Sequence, residues 1–261
     1  DSFGRNRKVL ELFAEFGADP SILYVNKPHI GTDVLSRIVS SMREEIIKLG
    51  GKVCFSSKVT DLMIQDGRLV GLVVNDSETI MTEAVVLAVG HSARDTFEML
   101  YRKGVPMRQK AFAVGLRIQH PQEMIDISQY GEGNRDILGA ASYKLTCQAS
   151  GGRGVYSFCM CPGEYVVNAS SEEGRLAVNG MSYHARDGIN ANSALIVTVT
   201  PEDFPGPSPL SGVVYQRKLE EAAFQAGKGN IPVQLYGDFL SGKCSSCFGN
   251  VEPQIKGGYA F

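Results

Sequence analysis

No excess of either charge marks this chain: 26 basic residues stand against 28 acidic ones over 261 positions, a formal net charge of −2. Neither a basic stripe nor a charge block interrupts it, so charge gives no reason to expect nucleic acid or an anionic membrane as a partner. No apolar run approaches the roughly 20 residues that a bilayer-spanning helix needs, and no signal-peptide pattern opens the chain. A cytoplasmic, non-membrane protein is expected. There is no initiator methionine in Asp1-Ser2-Phe3-Gly4, Val9 to Phe16 is already helix-like, and Gly257-Gly258-Tyr259-Ala260-Phe261 stops without a closing element. These ends suggest a piece cut from a longer protein. No secretory signal accompanies the six cysteines (Cys54, Cys147, Cys159, Cys161, Cys244, Cys247), which argues for reduced thiols rather than a disulfide framework. No Ser-His-Asp order and no zincin helix motif supports a hydrolytic mechanism. G-x-G-x-x-G is also missing: Gly131-Glu132-Gly133-Asn134 has its first spacing, but follows no strand pattern and opens no helix.

What is present is organised around Glu83-Ala84-Val85-Val86-Leu87-Ala88-Val89-Gly90-His91-Ser92-Ala93. Small and β-branched apolar residues without polar alternation predict a strand buried on both faces, as in a parallel sheet covered by helices. It ends at Gly90, where a glycine lets a phosphate or ribose approach the backbone, and a helical pattern follows. The bland alternative is a core strand meeting a tight turn. A chain of this length holds one large domain or two smaller ones.

Residues 7 to 16 predict a short helix ended by Gly17-Ala18-Asp19-Pro20, then a strand at Ile22-Leu23-Tyr24-Val25 and a turn at Lys27-Pro28-His29-Ile30-Gly31. Thr32 is read as the cap of a strong helix in which Asp33 complements the dipole, Val34, Ile38, Met42 and Ile46 recur at helical spacing, and Gly50-Gly51 is the stop. Val53 and Phe55 continue as strand. Val59 to Ile64 and Leu69 to Val74 predict a hairpin about Asp66-Gly67, with a further turn at Asn75-Asp76-Ser77 leading toward Val85. Between 111 and 210 short strand-like runs (Phe112–Ile118, Tyr143–Thr146, Gly154–Cys159, Tyr165–Ala169, Leu176–Met181, Leu195–Thr200) predict an antiparallel sheet or barrel. The stretch 201–209, with four prolines, reads as a linker; Val213 to Phe224 reads as a helix ended by Gly227, and residues 228 to 261 show little pattern.

Residues 50–93, with their order of glycine pair, strand, meander and A-x-G, resemble the corresponding part of two-dinucleotide-binding-type flavoproteins. Eight ordered motifs (KPHIGTD, AVGHSARDTFEML, HPQEMID, GVYSFCMCPG, VNASSEEG, NGMSYHARDG, NANSAL and YQRKLEEAAF) are similar to those of uncharacterised FAD-dependent dehydrogenases of bacteria and archaea. The resemblance implies an α/β plus α+β fold. An incomplete Rossmann-like FAD-binding domain with a β meander (1–110) would be interrupted by an inserted, mainly antiparallel β substrate domain (111–210), with a return segment toward the FAD-binding domain (211–261). It implies hydride transfer between flavin and an unknown small substrate in the intact protein. The glycine-rich phosphate loop that the family carries is not in this chain, so the chain alone is expected to be inactive. The alternative is a non-catalytic small-anion-binding or regulatory module on a flavoprotein framework, using Arg186 and Lys27.

Under the same resemblance Val59 meets adenine through its backbone, or is plain strand core, while Ala88, Val89 and Gly90 lie beside the dinucleotide. His91 is either near the ligand or a surface histidine. Lys27, His29 and Thr32 surround a turn before a helix N-terminus, where backbone amides and a cation can hold an anion or a flavin carbonyl; the alternative is a structural turn. Tyr183, His184 and Arg186 form a candidate catalytic trio, able to bind an anionic substrate and donate a proton, or else an Arg-Asp surface pair at a turn. Arg117 and His120 carry the same ambiguity. Cys159 and Cys161 sit about 7 Å apart if on one strand, near the limit for bridging. With Cys244 and Cys247 they make a Cys₄ site conceivable, though buried reduced thiols or a flavin-coupled thiol compete, and no metal is expected.

Overall fold

Leu10, Phe13 and Ala14 recur on one side of the first helix, α1 (Asn6–Glu15), and pack on a small core of Ala18, Ile22 and Ile38. The structure, a computed structural model, describes residues 3–261. Two compact units share the chain: Asp1–Gly51, Phe112–Val199 and Glu220–Phe261 form the first, Lys52–Ala111 and Thr200–Leu219 the second.

In the first unit the expected strand at Ile22–Val25 is instead a turn of 3₁₀ helix, Pro20–Leu23. Asp19 caps it by accepting from the Ser21 N–H at 2.7 Å, and Pro20 presets its first position, so local cap chemistry overrides β-propensity. Helix α2 (Thr32–Lys48) starts and ends where the periodicity places it. Its N-cap is Gly31, however, not Thr32: at φ +92° with the His184 backbone packed against its Cα, no side chain fits there. At the other end Gly51 N–H bonds Ile46 O at 2.8 Å and Gly50 N–H bonds Ile47 O at 3.0 Å, the Schellman pattern that only a left-handed Gly50 (φ +89°) supplies without strain.

The second unit holds the meander. β1 (Val59–Gln65) and β2 (Arg68–Val74) join through Asp66 and Gly67 at φ 50° and 75°, the type I′ geometry of a two-residue hairpin. β3 (Glu78–Met81) returns through Asn75 and Asp76, also left-handed, and the Asn75 side chain ties the entering chain by bonds to Lys58 N–H and Ser56 O. Leu62 from β1 packs with Met99 and Leu100 of α3 (Arg94–Arg102), with Val59, Leu69 and Leu72 around them.

Two expectations fail in this unit. Val53 and Phe55 form no strand; they lie in a loop with Phe55 exposed and Ser56 at φ 53°. Nor do Val85 to Gly90 form a buried strand. They run without regular structure, and Val86 is 91% exposed, Leu87 51% and Val89 47%. An apolar run of this kind becomes a buried strand only between two hydrogen-bonded neighbours under covering helices, and the described residues supply neither. Parallel pairing among the described residues is confined to two-residue ladders, so the Rossmann-like sheet is not built here.

The rest of the first unit is mainly antiparallel. β4 (Phe112–Pro121) leads directly into α4 (Gln122–Tyr130), followed by a short α5 (Arg135–Leu138). Then come β5 (Thr146–Gln148), β6 (Gly154–Cys161), β7 (Tyr165–Asn168), β8 (Val178–Met181) and β9 (Asn190–Val199). β4 and β9 pair from Phe112↔Val199 to Pro121↔Asn190 in a four-stranded sheet of order β4-β9-β6-β5. α6 (Ser211–Ala226), whose residues up to Leu219 are counted in the second unit, ends at Gly227. Beyond it the pattern-poor tail does fold: β10 (Ile231–Pro232), α7 (Tyr236–Leu240), β11 (Ile255–Lys256) and β12 (Tyr259–Ala260) follow, and β11 adds a parallel edge to β7-β8. No helix among the described residues is long and apolar enough to cross a membrane.

Candidate functional site

The first unit contains a cavity of about 330 Å³ whose walls come from stretches far apart in the chain. Lys27 and Pro28 precede α2; Ser142, Tyr143 and Lys144 precede β5; Ser157 to Met160 and Pro162 belong to β6 and its exit; Arg186 comes from the β8–β9 loop.

A β-bulge shapes its floor. β6 pairs with β9 as far as Phe158↔Ala194 and resumes at Cys161↔Asn192, with Cys159 at φ 48° in the step between. A non-glycine residue with positive φ inside a strand is strained, and bulges of this kind re-aim side chains. Phe158 and Cys159 are exposed on the cavity wall, whereas Cys161 turns into the core. Arg117 holds the bulge in place: its guanidinium donates to the Cys159 carbonyl at 3.4 and 3.5 Å, to Asn179 Oδ1 at 3.0 Å and to Asn192 Oδ1. The structure thus gives Arg117 a positioning task. Burial pushes the Cys161 thiol up to about 11, which disfavours the thiolate form that nucleophilic chemistry uses.

The β8–β9 loop is fastened from below. Gly163 N–H donates to Gln122 Oε1 at 2.8 Å, Gly188 N–H to Gly163 O at 3.1 Å, and a side chain at Gly163 would collide with the Arg186 carbonyl. Glu164, fully buried, accepts from the Ser182 hydroxyl and from the Tyr183 N–H at 3.0 Å. Burial pushes its carboxyl up to about 7, against the pull of those two bonds and of Arg186.

The loop also docks on the start of α2. Both the N–H and the hydroxyl of Thr32 donate to Ser182 O, at 2.8 and 2.9 Å, and the His184 N–H donates to Asp33 Oδ1 at 3.0 Å. His184 Nδ1–H donates to Ile30 O and His29 Nε2–H to Tyr183 O, each at 3.0 Å, with the two imidazoles stacked. Burial lowers the His29 pKa, opposed by its bond to Tyr183 and by Asp33 and reinforced by Arg186 and His184. Thr32 and His29 therefore serve as fasteners for the loop, and the first amide of α2 is occupied by protein.

Tyr183, His184 and Arg186 point to three different partners. The Tyr183 hydroxyl accepts from Lys256, whose ammonium lies 4.5 Å from its ring centroid and 4.6 Å from that of Tyr165. His184 faces α2, and Arg186 alone of the three lines the cavity, although its Nε is itself buried and has no hydrogen-bond partner. Lys27 and Arg186, expected at separate places, share one wall.

Sequence reasoning missed Tyr143, Lys144 and Glu164. Tyr143 Oη lies 2.8 Å from His120 Nε2; burial lowers the His120 pKa and raises that of Tyr143, so both stay neutral near neutrality. A second hollow of about 560 Å³ beside α4 is lined by Glu123, Asp126 and Glu132, and its one base, Arg135, is paired with Asp126.

The remaining predicted residues belong to the second unit. Val59 opens β1 opposite Val74 and packs on the core. Ala88, Val89, Gly90 and His91 are exposed; Gly90 has φ +73° with open space where a side chain would stand, and His91 Nε2 lies 3.3 Å from Ser92 Oγ. All six cysteines are free, and among the described residues no group of three or more His, Cys, Asp or Glu is arranged to hold a metal ion.

Residues 111–261 match the family described as "FAD-dependent protein, C-terminal domain-like". Over 257 residues the chain is 55% identical to an uncharacterized protein of Clostridium beijerinckii, an alignment covering 97% of this chain and 48% of that protein. It is 29% identical over 147 residues to the thiamine thiazole synthase of Thermococcus kodakarensis, covering 47% of this chain and 57% of that enzyme. The chain thus spans about half the length of the curated relatives it matches. Among solved structures, the crystal structure of FqzB matches with a TM-score of 0.30 and 18% identity, over 71% of this chain and 36% of that one.

Proposed function

We propose, because the chain belongs to the "FAD-dependent protein, C-terminal domain-like" family, that it forms part of a flavin-dependent oxidoreductase passing hydride between a small-molecule substrate and FAD. The family match carries this reading, and it spans all of the cavity's wall except Lys27 and Pro28. The partial likeness to an enzyme, thiamine thiazole synthase, supports catalysis over a purely structural role.

The residues that would hold FAD are Val59 and the stretch Ala88, Val89, Gly90 and His91, completed into a Rossmann-like domain by strands beyond those described. A bare backbone at Gly90 and apolar side chains left in solvent at Val86 to Val89 fit such a role. Bound FAD would supply the ring that accepts or returns hydride. The chain's own residues bind and orient: Arg186 and Lys27 attract the anionic partner, while Tyr183, His184 and Thr32 fix the loop that presents Arg186. A cation such as Lys27 beside a reduced flavin would also stabilise its negative charge. In this reading the flavin falls to Val59 and residues 88–91, and the substrate to the cavity that Lys27 and Pro28 share with residues 142–186.

The protein as its gene encodes it is expected to purify with oxidised-flavin absorbance that dithionite bleaches. A colourless protein that takes up no added FAD overturns the proposal. The second reading, a non-catalytic anion-binding module, is favoured by the meeting of Lys27 and Arg186 at one cavity, and a colourless protein that still binds small anions would select it.

A further inference from the structure

We propose that the cavity between Lys27, Arg186 and Phe158 is a binding site for a small organic carboxylate. It deepens the flavin reading and rests on it for what becomes of the bound acid; the binding itself stands on the cavity.

Charge selects an anion. Lys27, Lys144 and Arg186 line the space, no acidic side chain does, and none of the three forms an ion pair among the described residues. Arg186 Nε is itself buried and leaves no room for an incoming oxygen, so what Arg186 brings to the wall is the positive charge of its guanidinium. A carboxylate matches the planar guanidinium fork, and the Lys27 ammonium adds a second, exposed charge that can close on the same group. Glu164, whose carboxyl burial pushes up to about 7, feels Arg186 electrostatically but forms no ion pair with it among the described residues and does not line the cavity.

The apolar share of the wall selects an organic body. Phe158, Met160, Pro28 and Pro162 contribute carbon surface, which inorganic phosphate cannot use and a hydrocarbon group can. At about 330 Å³ the volume lies at the small end of ligand pockets, roughly 300–1,000 Å³. Tyr143, whose hydroxyl is 2.8 Å from His120 Nε2, contributes a further ring to the wall.

Calorimetric titration of the purified chain with benzoate, benzyl alcohol and inorganic phosphate tests the proposal. Benzoate is expected to bind, benzyl alcohol to bind at least ten-fold more weakly, and phosphate more weakly than benzoate. Lys27→Gln, at an exposed position that should leave the fold intact, and Arg186→Gln are each expected to weaken benzoate about ten-fold or more, in keeping with the loss of one charge-assisted contact. An unchanged melting temperature for Lys27→Gln keeps that arm informative even if Arg186→Gln unfolds. No benzoate binding, equal binding of benzyl alcohol, tighter binding of phosphate, or indifference to Lys27→Gln overturns the site. A protein that takes up FAD but not benzoate refutes this inference alone; one that takes up benzoate but no FAD refutes the flavin reading alone.

Discussion

Replacing Glu164 by glutamine isolates the electrostatic cost of the loop that carries Arg186. In the unfolded chain this carboxyl ionises near its ordinary 4.5; in the folded protein burial holds it to about 7. Between those values the native state keeps a proton that the unfolded state has lost, so the contribution of Glu164 to stability is fully present below pH 4.5 and declines as the pH rises. Above about 7 the decline is complete. The interval corresponds to roughly 3 kcal/mol at 1.36 kcal/mol per pH unit. Glutamine has the shape of the protonated acid: its oxygen can accept from the Tyr183 N–H and its amide can donate to the Ser182 hydroxyl, which turns to receive it. Urea unfolding of both proteins should therefore coincide at pH 4.5 and separate as the pH rises, with Glu164→Gln more stable by about 2–3 kcal/mol at pH 8. Taking the difference between the two proteins cancels every other titrating group. A difference that does not change between pH 4.5 and 8, or a variant that is the less stable at pH 8, refutes the assignment of a buried, proton-holding Glu164.

Gly31→Ala forces a side chain against the His184 backbone at φ +92° and should lower stability by on the order of 1–3 kcal/mol, read as a fall in melting temperature; an unchanged midpoint contradicts the packing of the loop on α2. With its thiol pushed up to about 11, Cys161 should resist iodoacetamide at pH 8 while exposed Cys159 reacts, as peptide mass spectrometry of the native protein would show; equal labelling contradicts the bulge geometry. Val86→Asp should change the stability of this chain by less than about 0.5 kcal/mol, because Val86 is 91% exposed, yet lower the flavin content of the protein as its gene encodes it; a large loss of stability in the chain itself would mean that Val86 is buried after all.

Local chemistry was legible and long-range burial was not. The hairpin at Asp66-Gly67, the span of α2 with its glycine stop, and the strands starting at Phe112, Gly154 and Tyr165 follow from signals within a few residues, whereas the run at Tyr143–Thr146 is strand only from Thr146 and β9 begins at Asn190, five residues before the apolar run at Leu195. Ile22–Val25 misleads because a capping Asp-Pro pair acts more strongly over four residues than β-branched composition does. Val85–Val89 misleads for a different reason. Its composition is that of a strand with neighbours on both edges and helices on both faces, and the described residues give it no such surroundings. Hydropathy reports what a segment requires, not whether the requirement is met. β10, β11 and β12 went unseen because two-residue ladders carry no period at all.

The candidate site divides along the same line. Lys27 and Arg186 are visible as bases at turns, since turn residues are exposed and a cation there invites a ligand. That both line one cavity depends on Thr32 and His184 bonding across about 150 positions of sequence. Glu164 carries no local signal, being one acid in Cys161-Pro162-Gly163-Glu164-Tyr165, and its unusual proton affinity exists only once Ser182 and Tyr183 close over it. Tyr183 and His184 sit beside Arg186 in sequence, which suggested a trio acting together. A chain leaving a strand turns successive side chains in different directions, and here they reach Lys256, Ile30 and the cavity in turn. Adjacency in sequence therefore does not bring these three side chains to one point: Tyr183 and His184 contact other parts of the fold, and Arg186 alone lines the cavity.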